Sequence, residues 1–199
     1  MSPPAAAPDD GSASPTDEAL MATLAADGFN ALDELMRRWQ RPLRAFLFRH
    51  LQNEADAHDL AQETFARLHC HRRRYRAGAR FSTWMFQIAL NLARDHVRKR
   101  VRRRTDSLEG AAPGVVAGLA DEGVSPAHAA RHAEEVAAVR VALAALPDEL
   151  REVLVLAEYE GLPHAEIALV VGATPKAVES RLYRAREKLR ADLGRWLRV

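Results

Sequence analysis

A single cysteine, Cys70, stands in this chain of 199 residues. One thiol closes no intrachain disulfide and supplies no paired-cysteine zinc spacing, so a reducing, cytoplasmic setting is expected. Long hydrophobic runs are missing too: no stretch approaches the roughly 18 apolar residues of a membrane span, and direct membrane insertion is not expected. The first residues have no basic flank, since Asp9, Asp10, Asp17 and Glu18 precede the apolar stretch Ala19 to Ala26, the wrong order for a secretory signal. Glycine and proline are scarce inside the central stretches, and strand-like alternation of apolar and polar residues is not found. An all-α fold is left.

What is present divides the chain into four parts. Residues 1–27, rich in Pro and Ala and acidic, read as a disordered tail; 28–104 and 126–199 read as two small helical domains. Between them 105–125 holds Gly110, Pro113, Gly114, Gly118 and Gly123 without apolar periodicity, a flexible linker. The net charge of +2 conceals a strong segregation. Every charge before Arg37 is acidic, whereas from Arg67 to Arg104 the basic residues face Asp95 alone. A polyanion is the natural partner of such a stretch.

In the first domain Asn53 is placed to cap a helix whose stripe is Ala57, Leu60, Ala61, Phe65 and Leu68. Asp56, Asp59 and Glu63, three and four apart, are expected to share its exposed face with Gln62 at the margin. The helix from Arg80 to about Arg103 carries two apolar faces, Phe81, Trp84, Met85, Ile88, Ala89 and Leu92 on one, Phe86, Leu90, Ala93 and Val97 on the other. A narrow polar strip of Thr83, Gln87, Asn91, Arg94 and Arg98 remains between them. Trp84 and Phe81 belong to the core stripe, and Tyr75, in the basic loop beside Arg80, is the better candidate to stack on a base.

In the second domain Val136, Val139, Leu143 and Leu146 mark a helix ended by Pro147, and Leu150, Val153, Leu154 and Ala157 mark the next. Ile167, Ala168 and Val171, a turn at Gly172, then Thr174-Pro175 as cap and start with Val178 and Leu182 behind, have the spacing of a helix-turn-helix. Lys176, Glu179, Ser180, Arg181, Arg184 and Arg186 remain to reach bases or phosphates.

Residues 56–65 (Asp-Ala-His-Asp-Leu-Ala-Gln-Glu-Thr-Phe) and 81–95 (Phe-Ser-Thr-Trp-Met-Phe-Gln-Ile-Ala-Leu-Asn-Leu-Ala-Arg-Asp) closely resemble region 2 of sigma-70 family RNA polymerase sigma factors. Residues 160–186 are similar to region 4, and nothing resembles region 3, the pattern of the small extracytoplasmic-function (ECF) group. The resemblance implies binding of Asp56, Asp59, Gln62 and Glu63 to the beta-prime clamp helices of core polymerase, with the beta flap as a further contact. It places Tyr75, Arg80, Gln87, Asn91, Arg94 and Arg98 toward the minus-10 element, which this region recognises and melts. It places Thr174, Lys176, Ser180, Arg181, Arg184 and Arg186 toward the minus-35 element. His58 departs from the acidic residue frequent at its position, and an anti-sigma factor is an implied partner.

Catalysis would have to draw on His58-Asp59 or His69-Cys70-His71. Adjacent helical positions point about 100° apart and splay instead of converging on a metal, so neither an enzyme nor a cofactor or metal site is expected. The competing function is a stand-alone helix-turn-helix regulator. It would need a ligand-binding or dimerising domain where this chain has an acidic face followed by a basic loop and helix.

Overall fold

The computed structural model describes residues 14–28, 30–76, 78–106 and 126–194, and among these there is no strand. In chain order the helices are α1 (Asp17–Ala25), α2 (Asn30–Leu51), α3 (Glu54–Cys70), α4 (Phe81–Asp106), α5 (Pro126–Ala145), α6 (Asp148–Glu158), α7 (His164–Val171) and α8 (Pro175–Leu193). A single 3-10 turn, Arg72–Arg74, follows α3. The expected linker lies outside the described residues, apart from Thr105 and Asp106, which end α4.

Helix α1 corrects the expectation of a disordered tail to residue 27. Thr16 caps it, its hydroxyl accepting from the Ala19 amide at 3.2 Å, and Asp17 and Glu18 occupy the dipole-favoured first turn. Leu20, Met21 and Leu24 are buried. Each such side chain contributes roughly 1.5–3 kcal/mol when fully removed from water, enough to order a nine-residue helix that would not persist alone. Two carboxylates fix its position. Asp17 accepts from Trp39 Nε1 at 2.8 Å and from Arg38 at 2.9 Å. Glu18 Oε1 accepts from the backbone N–H of Phe81 at 3.1 Å and so caps the start of α4 from a distant part of the chain.

Helices α2, α3 and α4 pack around Leu43, Phe46, Leu47, Ala57, Phe65, Leu68, Phe81, Met85, Phe86 and Leu90. Trp39 meets Phe81 and Phe86 edge to face at 5.9 and 6.0 Å. Both apolar faces expected on α4 are used, so this helix is wedged between neighbours.

Helices α5 to α8 bury Leu143, Leu146, Leu150, Val153, Leu154, Ile167, Ala168, Val178, Leu182 and Ala185. Val136, expected on the inner stripe of α5, is instead half exposed, because it lies a turn beyond the part of α5 that the other helices cover. Gly172 ends α7 at φ 71°, ψ 44°, and Thr174 caps α8 by accepting from the Ala177 amide at 3.2 Å. A left-handed residue in the tight turn between two helices is the place where glycine costs least.

The two helical groups pack on each other. Helix α4 lies along α7, and α2 meets α5 and α6, giving one continuous core. Arg49 of α2 stacks over the Tyr159 ring, 4.0 Å from its centroid, and approaches Glu160 at 3.7 Å. Burial drives the Glu160 carboxyl above its ordinary range, and Arg49 opposes that rise.

Candidate nucleic-acid interface

Three polar surfaces are built by these helices. On α3, Asp59, Gln62 and Glu63 are exposed; Glu63 pairs with Arg67 at 2.8 Å and Gln62 Nε2 lies 2.8 Å from His58 Nε2. Asp56 does not share that face. It turns toward α4, where its carboxylate contacts His96 Nε2 at 3.1 Å and Arg100 at 3.8 Å, and only a quarter of its side chain remains accessible. Helical spacing put Asp56 within reach of the outer face, but α4 passes beside it.

The second surface is the basic loop and the polar strip of α4. Arg72 and Arg73 both bind Asp27, which sits at φ 66°, and these two guanidinium groups hold its carboxyl below the usual range. Arg74, Arg76 and Arg80 are exposed. Tyr75 is half-buried, its ring 5.3 Å from Trp84 and its hydroxyl donating to the Ala79 carbonyl. Burial, followed by the charges of Glu18 and Asp17, pushes that hydroxyl up. The ring is therefore already packed against another aromatic side chain of the chain, tilted 50° to it. Along α4 the strip expected from the sequence is present, but much of it is occupied. Arg80 Nε is 3.1 Å from Glu166, Thr83 donates to the same carboxylate at 2.8 Å, and Gln87 reaches the Leu169 carbonyl at 3.4 Å. Arg94 grips Glu152 with two bonds, at 2.8 and 2.6 Å, and that carboxylate raises its pKa. Asn91 and Arg98 are exposed, Arg98 beside Asp95.

The third surface is α8. Its solvent face carries Lys176, Glu179, Ser180, Tyr183 and Arg184, and Thr174 serves as its cap. Arg181 and Arg186 fall on the two edges of the buried face, against α6. Arg181 is mostly covered and lies 3.2 Å from Glu149, while Arg186 binds Glu158 at 2.7 Å. Sequence reasoning grouped them with Arg184 by charge, yet only Arg184 points away from α6. It also passed over Tyr183, at 68% the most exposed large apolar side chain described. Counting by threes and fours from Lys176 through Ser180 finds it. Glu152 and Glu166 were missed as well, and no local signal marks them, since their partners lie 58 and 83 residues away.

Comparison with known proteins joins these surfaces. Residues 35–103 match sigma-70 region 2 and residues 137–189 match sigma-70 region 4. The chain is 33% identical to the RNA polymerase sigma-H factor of Pseudomonas aeruginosa over 172 residues, 84% of this chain and 89% of that one. It is 34% identical to the ECF RNA polymerase sigma factor SigE of Mycolicibacterium smegmatis, over 82% of this chain and 62% of that one. Among solved structures it resembles CnrH, in complex with the cytosolic domain of CnrY, with a TM-score of 0.66, 29% identity, and coverage of 89% of this chain and 97% of that one. The ordered pair of regions, the helix-turn-helix and the identity over most of the chain assign the protein to the ECF group of the sigma-70 family, as a sigma factor directing promoter-specific transcription initiation.

Proposed function

We propose that this chain docks on core RNA polymerase through Asp59, Gln62 and Glu63, with residues 28–104, extended by α1, as the unit that binds the beta-prime clamp helices and opens the minus-10 element. Residues 126–199 form the unit that reads the minus-35 element beside the beta flap. The observation that carries this reading is the solvent face of α8, where Lys176, Ser180, Tyr183 and Arg184 stand clear of the domain on a capped helix rigidly seated by Val178, Leu182 and Ala185. Arg184 and Lys176 are placed for base or phosphate contact in the major groove. Asn91, Arg94, Arg98, Gln87 and Arg80 are assigned to minus-10 DNA.

Tyr75, Arg181 and Arg186 act by support instead. Tyr75 braces Trp84, and the two arginines tie α8 to α6. The chain supplies no catalytic group, and the polymerase does the chemistry, in the cytoplasm. Each domain alone offers a small contact; holding both on polymerase converts two weak DNA contacts into one through effective concentration. The likeness to CnrH, solved with a protein partner, supports an anti-sigma factor as regulator of this chain.

Sequencing the 5′ ends of transcripts made by core polymerase with and without the chain tests this. New starts sharing spaced minus-35 and minus-10 elements are expected. Absence of new starts, together with tight binding of promoter duplex by the chain alone, would replace this reading with a stand-alone regulator.

A further inference from the structure

Two acids of the amino-terminal segment reach across the chain to the basic loop between α3 and α4. Asp27 stands in the turn between α1 and α2 at φ 66°, a left-handed conformation that Asp tolerates better than most residues. The turn is tight. The Gly28 amide donates to the Thr23 carbonyl at 3.0 Å, and a Cβ at position 28 would lie 2.6 Å from Thr23 Cγ2. The carboxylate of Asp27 is thereby presented to the 3-10 turn that opens the loop. Its Oδ1 accepts from Arg72 Nε at 3.1 Å and Nη2 at 2.5 Å, and its Oδ2 accepts from Arg73 at 2.8 Å. Arg72 also donates through Nη1 to the His69 carbonyl at 3.0 Å, so one guanidinium ties the end of α3 to the α1–α2 turn. At the far end of the loop Glu18 accepts from the Phe81 amide at 3.1 Å, immediately after the exposed Arg80.

These contacts span 45 and 63 residues of sequence, unlike the local pairs of a solvated acidic face. An exposed ion pair adds little to folding stability, and 45% of the Asp27 side chain is exposed. What the two acids supply is position, one at each end of the loop. We infer that Asp27 and Glu18 are positioning residues for the minus-10 element, holding the basic loop at both ends so that Arg80 and the start of α4 meet DNA in one arrangement. The inference rests on the proposed assignment of α4 to that element. A loop released at either end spends only part of its time in the competent arrangement, and the apparent affinity for the minus-10 sequence falls by that fraction. Bulk charge predicts the opposite sign, since one acid fewer beside Arg72, Arg73 and Arg74 favours a polyanion.

The test uses the full chain with core polymerase. Transcription from promoter libraries randomised over the minus-10 element, and separately over the minus-35 element, gives the base preference at each. D27N keeps the size of the side chain and its tolerance of the left-handed turn, and removes the charge that Arg72 and Arg73 share. It should weaken the minus-10 preference by on the order of tenfold and leave the minus-35 preference unchanged. E18A should act in the same direction, while E18Q, whose amide oxygen still accepts from the Phe81 amide, should stay close to the parent. An unchanged or sharper minus-10 preference in D27N overturns the inference. Equal loss at both elements by a folded D27N overturns it as well, because a positioning role is confined to one element. If D27N loses helical circular dichroism, the glutamate pair decides, and no difference between E18A and E18Q overturns the inference. N91A/R98A reports on the underlying assignment. If it too keeps the parental minus-10 preference, the assignment of α4 to that element falls and the inference with it. If it loses the preference while D27N and E18A do not, only the positioning role falls.

Discussion

Arg181 and Arg184 lie three residues apart on the helix of the helix-turn-helix and should respond to alanine in opposite ways. Arg184 is exposed and touches no neighbouring element, so R184A should move folding stability by less than about 0.5 kcal/mol. It should cost about 1–3 kcal/mol in promoter affinity, roughly 5- to 150-fold, concentrated at one minus-35 position if the contact is bidentate to a base. Arg181 has 23% of its side chain exposed and lies 3.2 Å from Glu149, itself half exposed. Solvent screening limits that pair to about 0.5–1 kcal/mol, and loss of the packed methylene stem brings the total to around 1 kcal/mol. For a chain of this size that is a fall of about 2–4 °C in Tm. Calorimetry on the purified variants, and holoenzyme transcription from a promoter library randomised over the minus-35 element, read the two effects separately. R181A should lower Tm and leave the preferred sequence unchanged, whereas R184A should do the reverse. A changed base preference for R181A at unchanged Tm would refute the assignment of Arg181 to the α6–α8 seam.

Three further outcomes follow from the same geometry. D59K/E63K should abolish core-polymerase binding with little change in thermal stability, while D56N, which weakens the contacts to His96 and Arg100, should lower Tm and leave core binding in place; pull-down and circular dichroism separate them. Burial, then the charges of Arg151 and Arg94, push the His50 imidazole down to about 3, in a cavity faced by Arg94 and Arg98 of α4 and by Asp148, Glu149, Arg151 and Glu152 of α6. The unfolded imidazole binds its proton near pH 6.5 and the folded one does not, so this contribution to stability is complete above that pH and declines as pH falls from about 6.5 toward 3. Between pH 7 and pH 5 the loss is about 2 kcal/mol, measurable as a shift in urea midpoint that H50Q should flatten. G172A meets no atom within 4 Å of its new Cβ, so its penalty is conformational, about 1–2 kcal/mol from the left-handed backbone, read as a lower urea midpoint.

Periodicity made α3, α4 and α6 to α8 legible, because each buries a stripe repeating at three and four residues. The turn at Gly172 and the cap at Thr174 were equally legible, since both act within a few residues of themselves. Helix α1 was obscured by its surroundings: Leu20, Met21 and Leu24 lie next to a Pro- and Ala-rich acidic run, and what stabilises them is supplied by α2 and α4. Asp56, Arg181 and Arg186 mark a second limit. Helical spacing says which residues share a face, but not which neighbouring helix covers its edge. The α4–α7 seam was beyond sequence reasoning altogether, because the pairing of Arg94 with Glu152 is a property of how two separately readable units meet.

The cap that Glu18 places on the Phe81 amide has a consequence for synthesis. Helix α1 is translated before α2 and α4, and the surface that receives it is not made until α2 and the start of α4 have followed. During that interval Leu20, Met21 and Leu24 have nowhere to go, and a nascent chain is open to holdase chaperones at this point. Helix α1 is made before the helices that seat it, and a recombinant fragment begun at residue 28 would leave both its groove and the amino terminus of α4 uncovered.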